Sequence, residues 1–129
     1  MSGNYLLDTN VVIALFDQNP AVLAELAHAQ AVFTASVVLG ELYYGALHSA
    51  QVAANTARVV AFAGKNVVLV CDELTAQYYG QVKAKLRAKG KPIPENDIWI
   101  AALALQYQLT LATWDGHFDE VDGLVTVKW

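Results

Sequence analysis

Four isolated carboxylates stand beside apolar residues in this chain, where a buried charge would need compensation. They are Asp8, Glu41, Asp97 and Asp115. Removing a carboxylate from water is costly unless a cation, a hydrogen-bond donor or a metal ion compensates its charge. No Lys or Arg lies within five residues of any of the four, and Lys91 is the nearest. The remaining compensators are helix N-termini, long-range ion pairs and a bound divalent cation.

A divalent cation accounts for all four acids together, although three of them also have an ordinary explanation. Asp8 could cap a helix, Asp97 could complement a helix dipole, and Asp115 precedes a glycine, as in many turns. Glu41 fits none of these roles, because it lies within the apolar segment 37–44. An oxygen-only ligand set favours Mg²⁺ or Mn²⁺.

The elements that must position these acids follow from the alternation of short apolar segments with stretches of helical periodicity. This pattern predicts an α/β protein with three layers, in which helices flank a central, mostly parallel five-stranded sheet. Ser36 and Asp72 are predicted to cap helices, and Gly64 to end one. The predicted strands cover 4–7, 31–35, 66–71, 109–113 and 124–127. The predicted helices cover 10–17, 20–30, 37–49, 51–63, 73–89 and 95–108.

A parallel sheet binds ligands at the carboxyl ends of its strands, where the strand order reverses. Asp8 follows the first predicted strand and Asp115 follows the fourth, so both belong to that edge. Glu41 lies one to two helical turns beyond the second strand, on the same edge. Asp97 is not fixed by this rule, because a helix that precedes a strand usually begins at the opposite edge.

Composition limits the classes of protein that the chain can represent. Its 129 residues suit one domain over 1–129, and 56% of them are apolar, above the usual range of about 45–50%. This excess predicts an interface, often with a second copy of the chain. No run of about 18 apolar residues lacks a charge, so no membrane span is expected. Cys71, the only cysteine, is expected to be a buried strand thiol and fits a reducing cytoplasm.

The charge pattern leaves the question of a nucleic-acid partner open. The net charge is −4, yet five of the eight Lys and Arg residues fall within 83–91. This basic segment could be a solvated helix end, or it could contact phosphates. The candidates for contact with an RNA backbone are Lys85, Arg87 and Lys89.

In order and spacing, the acidic motifs together resemble the PIN-domain family, and especially the VapC-type toxins of bacterial and archaeal toxin–antitoxin pairs. The resemblance covers essentially the whole chain. It implies a parallel α/β fold that gathers all four acids in one groove. It also implies Mg²⁺- or Mn²⁺-dependent endoribonuclease activity, a homodimer and a cognate antitoxin that blocks the groove. The motifs are Leu6-Leu7-Asp8-Thr9-Asn10, Gly40-Glu41-Leu42, Asn96-Asp97 before Ile98-Trp99-Ile100-Ala101-Ala102, and Thr113-Trp114-Asp115-Gly116-His117-Phe118.

On this interpretation Asp8, Asp97 and Asp115 bind metal, and Glu41 positions or deprotonates the attacking water or binds a second ion. Neighbouring polar residues could orient the acids or water; they are Thr9, Asn10 and Thr113. The three histidines share no ligand spacing and are expected to be surface or satisfied residues; they are His28, His48 and His117. Two alternatives remain: a PIN-type nuclease of RNA maturation or DNA processing, and a non-catalytic α/β module that binds a partner.

Overall fold

The computed structural model describes residues 3–129, which fold around one sheet of five strands. All strand pairs are parallel, and six helices flank the sheet, which confirms the predicted fold class. The strands are β1 Asn4–Leu7, β2 Ala31–Ala35, β3 Val67–Leu69, β4 Thr110–Ala112 and β5 Thr126–Val127. The helices are α1 Thr9–Phe16, α2 Pro20–His28, α3 Ser36–Leu47, α4 Val52–Lys65, α5 Glu73–Lys89 and α6 Glu95–Gln106, with a short 3-10 helix at Gly116–Glu120.

The strand order is β3-β2-β1-β4-β5. The chain moves outward from β1 to β3 and then returns to place β4 on the other side of β1. The order therefore reverses between β1 and β4, which creates a crevice at their carboxyl ends. Asp8 directly follows β1, and Asp115 lies three residues after the end of β4. Both acids consequently flank the switch point of the sheet.

Hydrogen bonds at the helix ends explain which predicted boundaries were right. Asp72 caps α5 as predicted, because its carboxylate accepts the Thr75 N–H while the Thr75 hydroxyl accepts the Asp72 N–H. Ser36 is the first residue of α3 rather than its cap, since Ala35 makes the transition directly from the extended strand. Gly64 does not end α4. The helix continues to Lys65, and the Asn66 side chain satisfies the Phe62 carbonyl.

The prediction that Cys71 is a buried strand thiol is wrong. β3 ends at Leu69, because its only neighbour is β2, whose last paired residue is Ala35. Cys71 therefore lies beyond the ladder and is exposed. Residual burial, assisted by the nearby Asp72 carboxylate, raises the pKa of the Cys71 thiol.

An antiparallel helix pair brings Asp97 to the switch point. The start of α5 meets the end of α6 through a hydrogen bond from the Thr75 hydroxyl to Gln106. Toward the other end, Lys83 forms a 3.0 Å ion pair with Glu95, the first residue of α6. The reversal uses Gly90, whose φ of 69° lies in the left-handed region that glycine tolerates. As a result, α6 begins beside the carboxyl ends of β1 and β4.

The core lies between the sheet and the helices and includes the fully buried Leu6, Leu7, Ile100 and Phe118. Large apolar side chains also remain exposed on the described surface, among them Tyr44 at 64% and Leu47 at 62%. Among residues 3–129, no helix has the length and apolar character needed to cross a membrane.

Candidate metal centre

All four predicted acids line one pocket of about 470 Å³ at the switch point. Its walls come from the ends of β1 and β4, from α1 and α3, and from the start of α6. No Lys or Arg stands among the lining residues, and no ion pair found among the described residues joins one of the four acids to a Lys or Arg. The lining residues are Asp8, Thr9, Asn10, Ile13, Glu41, Pro94, Glu95, Asn96, Asp97 and Asp115.

Asp8 is held on both carboxylate oxygens. Oδ1 accepts the Thr9 N–H at 2.9 Å, so the residue does cap α1, and Oδ2 accepts the Thr113 hydroxyl at 2.7 Å. The backbone N–H of Asp8 donates to the Ala112 carbonyl, which continues the β1–β4 ladder. The Thr113 oxygen also accepts the Asp115 N–H at 3.0 Å. Thr113 therefore links the acid after β1 to the acid after β4.

Glu41 reaches the pocket from α3. Its Oε1 accepts a 2.8 Å hydrogen bond from the Thr9 hydroxyl. Thr9 thus contacts two of the acids, Asp8 through its backbone and Glu41 through its side chain. This pairing explains why a carboxylate is tolerated within an otherwise apolar helix.

Asp115 is the most exposed of the four acids and is oriented by Asn10. The Asn10 amide nitrogen lies 3.4 Å from Asp115 Oδ2, while its oxygen accepts the Trp114 N–H at 3.3 Å. Asn10 lies within the first turn of α1, and Asp8 is the cap of that helix.

Asp97 contacts a residue that sequence analysis missed. His117 Nε2 lies 2.6 Å from Asp97 Oδ2, across 20 residues of chain. Asp97, Asp115 and His117 each offer a ligand atom, and these atoms lie within 4.8 Å of one another. The available signal was the spacing of His117, two residues after Asp115 in the same turn. That spacing does not reveal that α6 returns to meet it.

Burial and mutual repulsion raise the pKa of Asp8 and of Asp97. Desolvation raises the pKa of Asp8, against the hydrogen bonds from Thr113 and Thr9, and the charges of Asp97 and Asp115 raise it further. Desolvation likewise raises the pKa of Asp97, while His117 lowers it and Asp115 raises it. Two like charges about 4 Å apart repel by roughly 4 kcal/mol at an effective dielectric of 20.

The donor set fits a hard divalent ion. The pocket offers carboxylate oxygens on four different elements and opens to solvent, so water could complete the coordination shell. A cation would also reverse the repulsion that raises the pKa of Asp8 and Asp97. In this respect the residues fit the metal that PIN nucleases use.

We expect the stability of the metal-free protein to depend on pH because the pKa values of Asp8 and Asp97 are raised. At pH values between the ordinary carboxyl pKa and the raised pKa values of Asp8 and Asp97, the folded protein binds more protons than the unfolded chain. The contribution of these two acids to stability therefore falls as the pH rises through their folded pKa values. Urea unfolding in chelator from pH 4 to pH 7 would measure this change. The parent should lose more stability than Asp97→Asn over this range. Parallel curves would contradict the expectation.

The basic segment does not line the acidic pocket. Lys89 hydrogen-bonds the Glu120 carbonyl and forms a 3.0 Å ion pair with Asp122, and Lys85 lines a separate depression beside those residues. Arg87 is exposed, and its charge lowers the pKa of Glu95 as the smallest of several contributions. Lys83, which was not among the predicted RNA contacts, pairs with Glu95 at the rim of the acidic pocket.

The sheet order and the pocket define the chain as a doubly wound α/β protein with an acidic centre at its switch point. A family model for the PIN domain matches residues 5–124. The chain therefore belongs to the PIN domain family.

Proteins that are similar to this chain along nearly their whole length include some that are named as nucleases. The chain is 34% identical over 128 residues to "Ribonuclease VapC2" of Haemophilus influenzae, and the match covers 97% of both chains. It is 33% identical over 128 residues to "tRNA(fMet)-specific endonuclease VapC" of Shigella flexneri, again over 97% of both. The structure "Crystal structure of DNA bound VapBC from Salmonella typhimurium" contains a chain that is 28% identical to this one with a TM-score of 0.91, and the match covers 100% of this chain and 99% of that one.

Proposed function

We propose that this protein is a Mg²⁺- or Mn²⁺-dependent endoribonuclease and the toxin of a type II toxin–antitoxin pair. One observation carries the proposal: the four predicted acids share a solvent-open pocket at the switch point with a fifth carboxylate, Glu95, and no Lys or Arg is among the lining residues. The full-length similarity to VapC ribonucleases supports the choice of RNA as substrate. The domain would span residues 1–129. Homodimer formation and a cytoplasmic location remain predictions from composition and family resemblance.

In the proposed mechanism the four acids have different roles. Asp8, Asp97 and Asp115 would hold the ion, which would neutralise their charge and attract the anionic phosphate. Glu41, fixed at one oxygen by Thr9, would position the attacking water and accept its proton, or hold a second ion.

The resemblance to the PIN-domain family implies in-line attack by water, which would form a bond from the water oxygen to phosphorus and break the bond from phosphorus to the 3′ oxygen. The leaving oxygen takes up a proton. The products are therefore a 5′-phosphate and a 3′-hydroxyl.

The orienting residues have a defined task in this scheme. Thr113 holds Asp8, Thr9 holds Glu41, and Asn10 approaches Asp115. Because Thr113 directly follows β4 while Thr9 and Asn10 begin α1, folding itself sets the spacing between the acids. A preorganised set avoids reorganisation when charge develops on the phosphate.

RNA affinity must come partly from outside the pocket, because the protein carries a net charge of −4. Lys85 and Arg87 remain proposed contacts to the RNA backbone. Lys89 has the same role only if RNA displaces its contacts with Glu120 and Asp122.

A cleavage assay tests the function directly. The purified protein should cut tRNA or total RNA when Mg²⁺ or Mn²⁺ is present and leave 5′-phosphate ends; chelator should stop the reaction, and added metal should restore it. Asp119→Asn is a suitable control, because Asp119 is exposed and does not line the pocket. That variant should retain parental activity.

Cleavage that persists in chelator would overturn the metal dependence. A protein that cuts duplex DNA and no RNA would favour the DNA-processing alternative. Growth arrest on expression, relieved by co-expression of a small protein encoded directly upstream, would identify the antitoxin partner.

A further inference from the structure

We propose that His117 is a positioning residue: it holds one oxygen of Asp97 so that the other oxygen is presented to the ion, and it does not itself bind the ion. This inference rests on the proposed metal-dependent function. It assigns a role to a side chain that contacts one of the acids and that sequence analysis did not place at the centre.

The contact itself shows which atom His117 uses. A separation of 2.6 Å between Nε2 and Oδ2 requires a hydrogen between the two atoms, because their lone pairs would otherwise repel. When Asp97 is the ionised carboxylate that a cation requires, that hydrogen lies on Nε2, and a ring nitrogen that carries a hydrogen has no lone pair for a metal. The Asp97 carboxylate is engaged at Oδ2, which leaves Oδ1 for an ion.

The distance expected between two ligands of one metal ion also supports the role of His117 as a positioning residue. Two neighbouring ligands on one octahedral Mg²⁺ ion, each bonded at about 2.0–2.1 Å, would lie roughly 2.9 Å apart. His117 Nε2 and Asp97 Oδ2 are closer than that, and their distance is typical of a strong hydrogen bond between an imidazole and a carboxylate. The proximity of Asp97, Asp115 and His117 is therefore better explained by two ligands and an orienting partner.

The fold holds His117 in place for this role. It lies on the 3-10 helix that follows Asp115, and its ring packs against Phe118 with 4.9 Å between centroids. Phe118 is completely buried and fixes this short helix to the core. One turn of chain therefore supplies the Asp115 carboxylate and also the group that orients Asp97.

The hydrogen-bond partners of the other three acids indicate what Asp97 would lose without His117. Asp8, Glu41 and Asp115 are held by a hydroxyl or amide group on a different element, whereas the side-chain partner of Asp97 is His117. Without that contact the Asp97 carboxylate could rotate away from the ion. Partners that orient metal ligands typically change metal affinity by about 10–100-fold when they are removed.

Metal binding without RNA provides the test. Mn²⁺ affinity is measured by electron paramagnetic resonance or calorimetry for the parent, His117→Leu and His117→Gln, with unfolding curves in chelator to show that each variant folds. The leucine variant should bind Mn²⁺ about 10–100-fold more weakly. The glutamine variant, which keeps an N–H donor, should recover most of the affinity. His48→Gln is the matched control, because His48 is an exposed histidine that directly follows α3 and whose ring nitrogen bonds the Tyr44 carbonyl.

Electron spin-echo measurements on bound Mn²⁺ distinguish positioning from direct ligation. The parent should lack the strong coupling of a metal-bonded imidazole nitrogen. A strong coupling that disappears in His117→Leu would make His117 a ligand and overturn the inference. Unchanged Mn²⁺ affinity in His117→Leu would overturn it too, and would leave His117 with a structural role only.

The same measurements separate this inference from the proposed function. A parent that binds Mn²⁺ with the expected His117 dependence, yet cuts no RNA, would overturn the nuclease function and support the positioning role. A parent with no measurable affinity for Mn²⁺ or Mg²⁺ would overturn both.

Discussion

Asp97→Asn should abolish metal-dependent RNA cleavage without destabilising the metal-free protein. Asparagine keeps the shape of aspartate and an oxygen that can still accept the His117 N–H, so the contact between α6 and the 3-10 helix survives. The substitution removes the charge that the ion requires. A loss of about 4 kcal/mol of transition-state stabilisation corresponds to roughly a thousandfold lower kcat/KM. Initial cleavage rates in Mg²⁺ at matched protein concentration would measure the effect.

The stability of Asp97→Asn without metal distinguishes an acid that binds the ion from an acid that only stabilises the fold. Burial and the Asp115 charge raise the pKa of Asp97, so its ionised form is disfavoured when no metal is bound. A neutral amide avoids that cost, and we expect the variant to unfold in chelator at the parental temperature or above it. A clear loss of stability would mean that Asp97 serves the dipole of α6 instead.

Asp97 is a better choice for this experiment than Asp8. Asp8 accepts hydrogen bonds on both oxygens, and the Thr113 hydroxyl that donates to Oδ2 also accepts the Asp115 N–H. An amide nitrogen at Oδ2 would face that hydroxyl and disturb its proton arrangement. Asp8→Asn would therefore combine the loss of a ligand charge with a structural cost, which Asp97→Asn avoids. Asp119→Asn on the 3-10 helix remains the control for a general effect of charge.

Sequence alone could place three of the acids, including Glu41 on the helix after β2, at one edge of the sheet, because the rule that governs them is local. Asp8 and Asp115 follow apolar strands, and the carboxyl ends of parallel strands share one edge. The sequence could not provide the strand order, yet the alternation of strands and helices made a switch point between β1 and β4 a natural outcome. The Leu6–Leu7 pair and its register with Leu111 and Ala112 then fix the separation of the two acids.

The position of Asp97 and the role of His117 depend on contacts between distant parts of the chain. Asp97 reaches the pocket because α5 and α6 pack as an antiparallel pair, which no motif around Asp97 encodes. His117 meets Asp97 only through that arrangement, so its spacing could not reveal it. From the sequence, only the resemblance to the PIN-domain family predicted that Asp97 lies in the groove.

The wrong prediction for Cys71 has a similar origin. Val68, Leu69 and Val70 continue an apolar run, and a strand through Cys71 was the simplest interpretation. β3 lies at the edge of the sheet, however, and β2 offers no paired residue beyond Ala35. The length of an edge strand is set by its neighbour, so its own composition did not determine where it ends.

Mg²⁺ or Mn²⁺ should raise the melting temperature of the parent far more than that of Asp8→Asn or Asp97→Asn. A ligand that binds only the folded state at 100 times its dissociation constant adds about 2.7 kcal/mol of stability. For a domain of this size, that corresponds to a shift on the order of 10 °C. Each variant lacks one carboxylate of the pocket, binds the ion more weakly and should shift by much less.

The comparison must be made between metal and chelator for each protein, because the metal-free melting temperatures also differ. The acids repel one another in the metal-free state, so part of the parental shift is relief of that repulsion. Asp119→Asn should shift as the parent does, since its carboxylate lies outside the pocket. Equal shifts in the parent, Asp8→Asn and Asp97→Asn would place the ion elsewhere on the protein. No shift in any of them at millimolar metal would mean that the pocket does not bind a divalent cation.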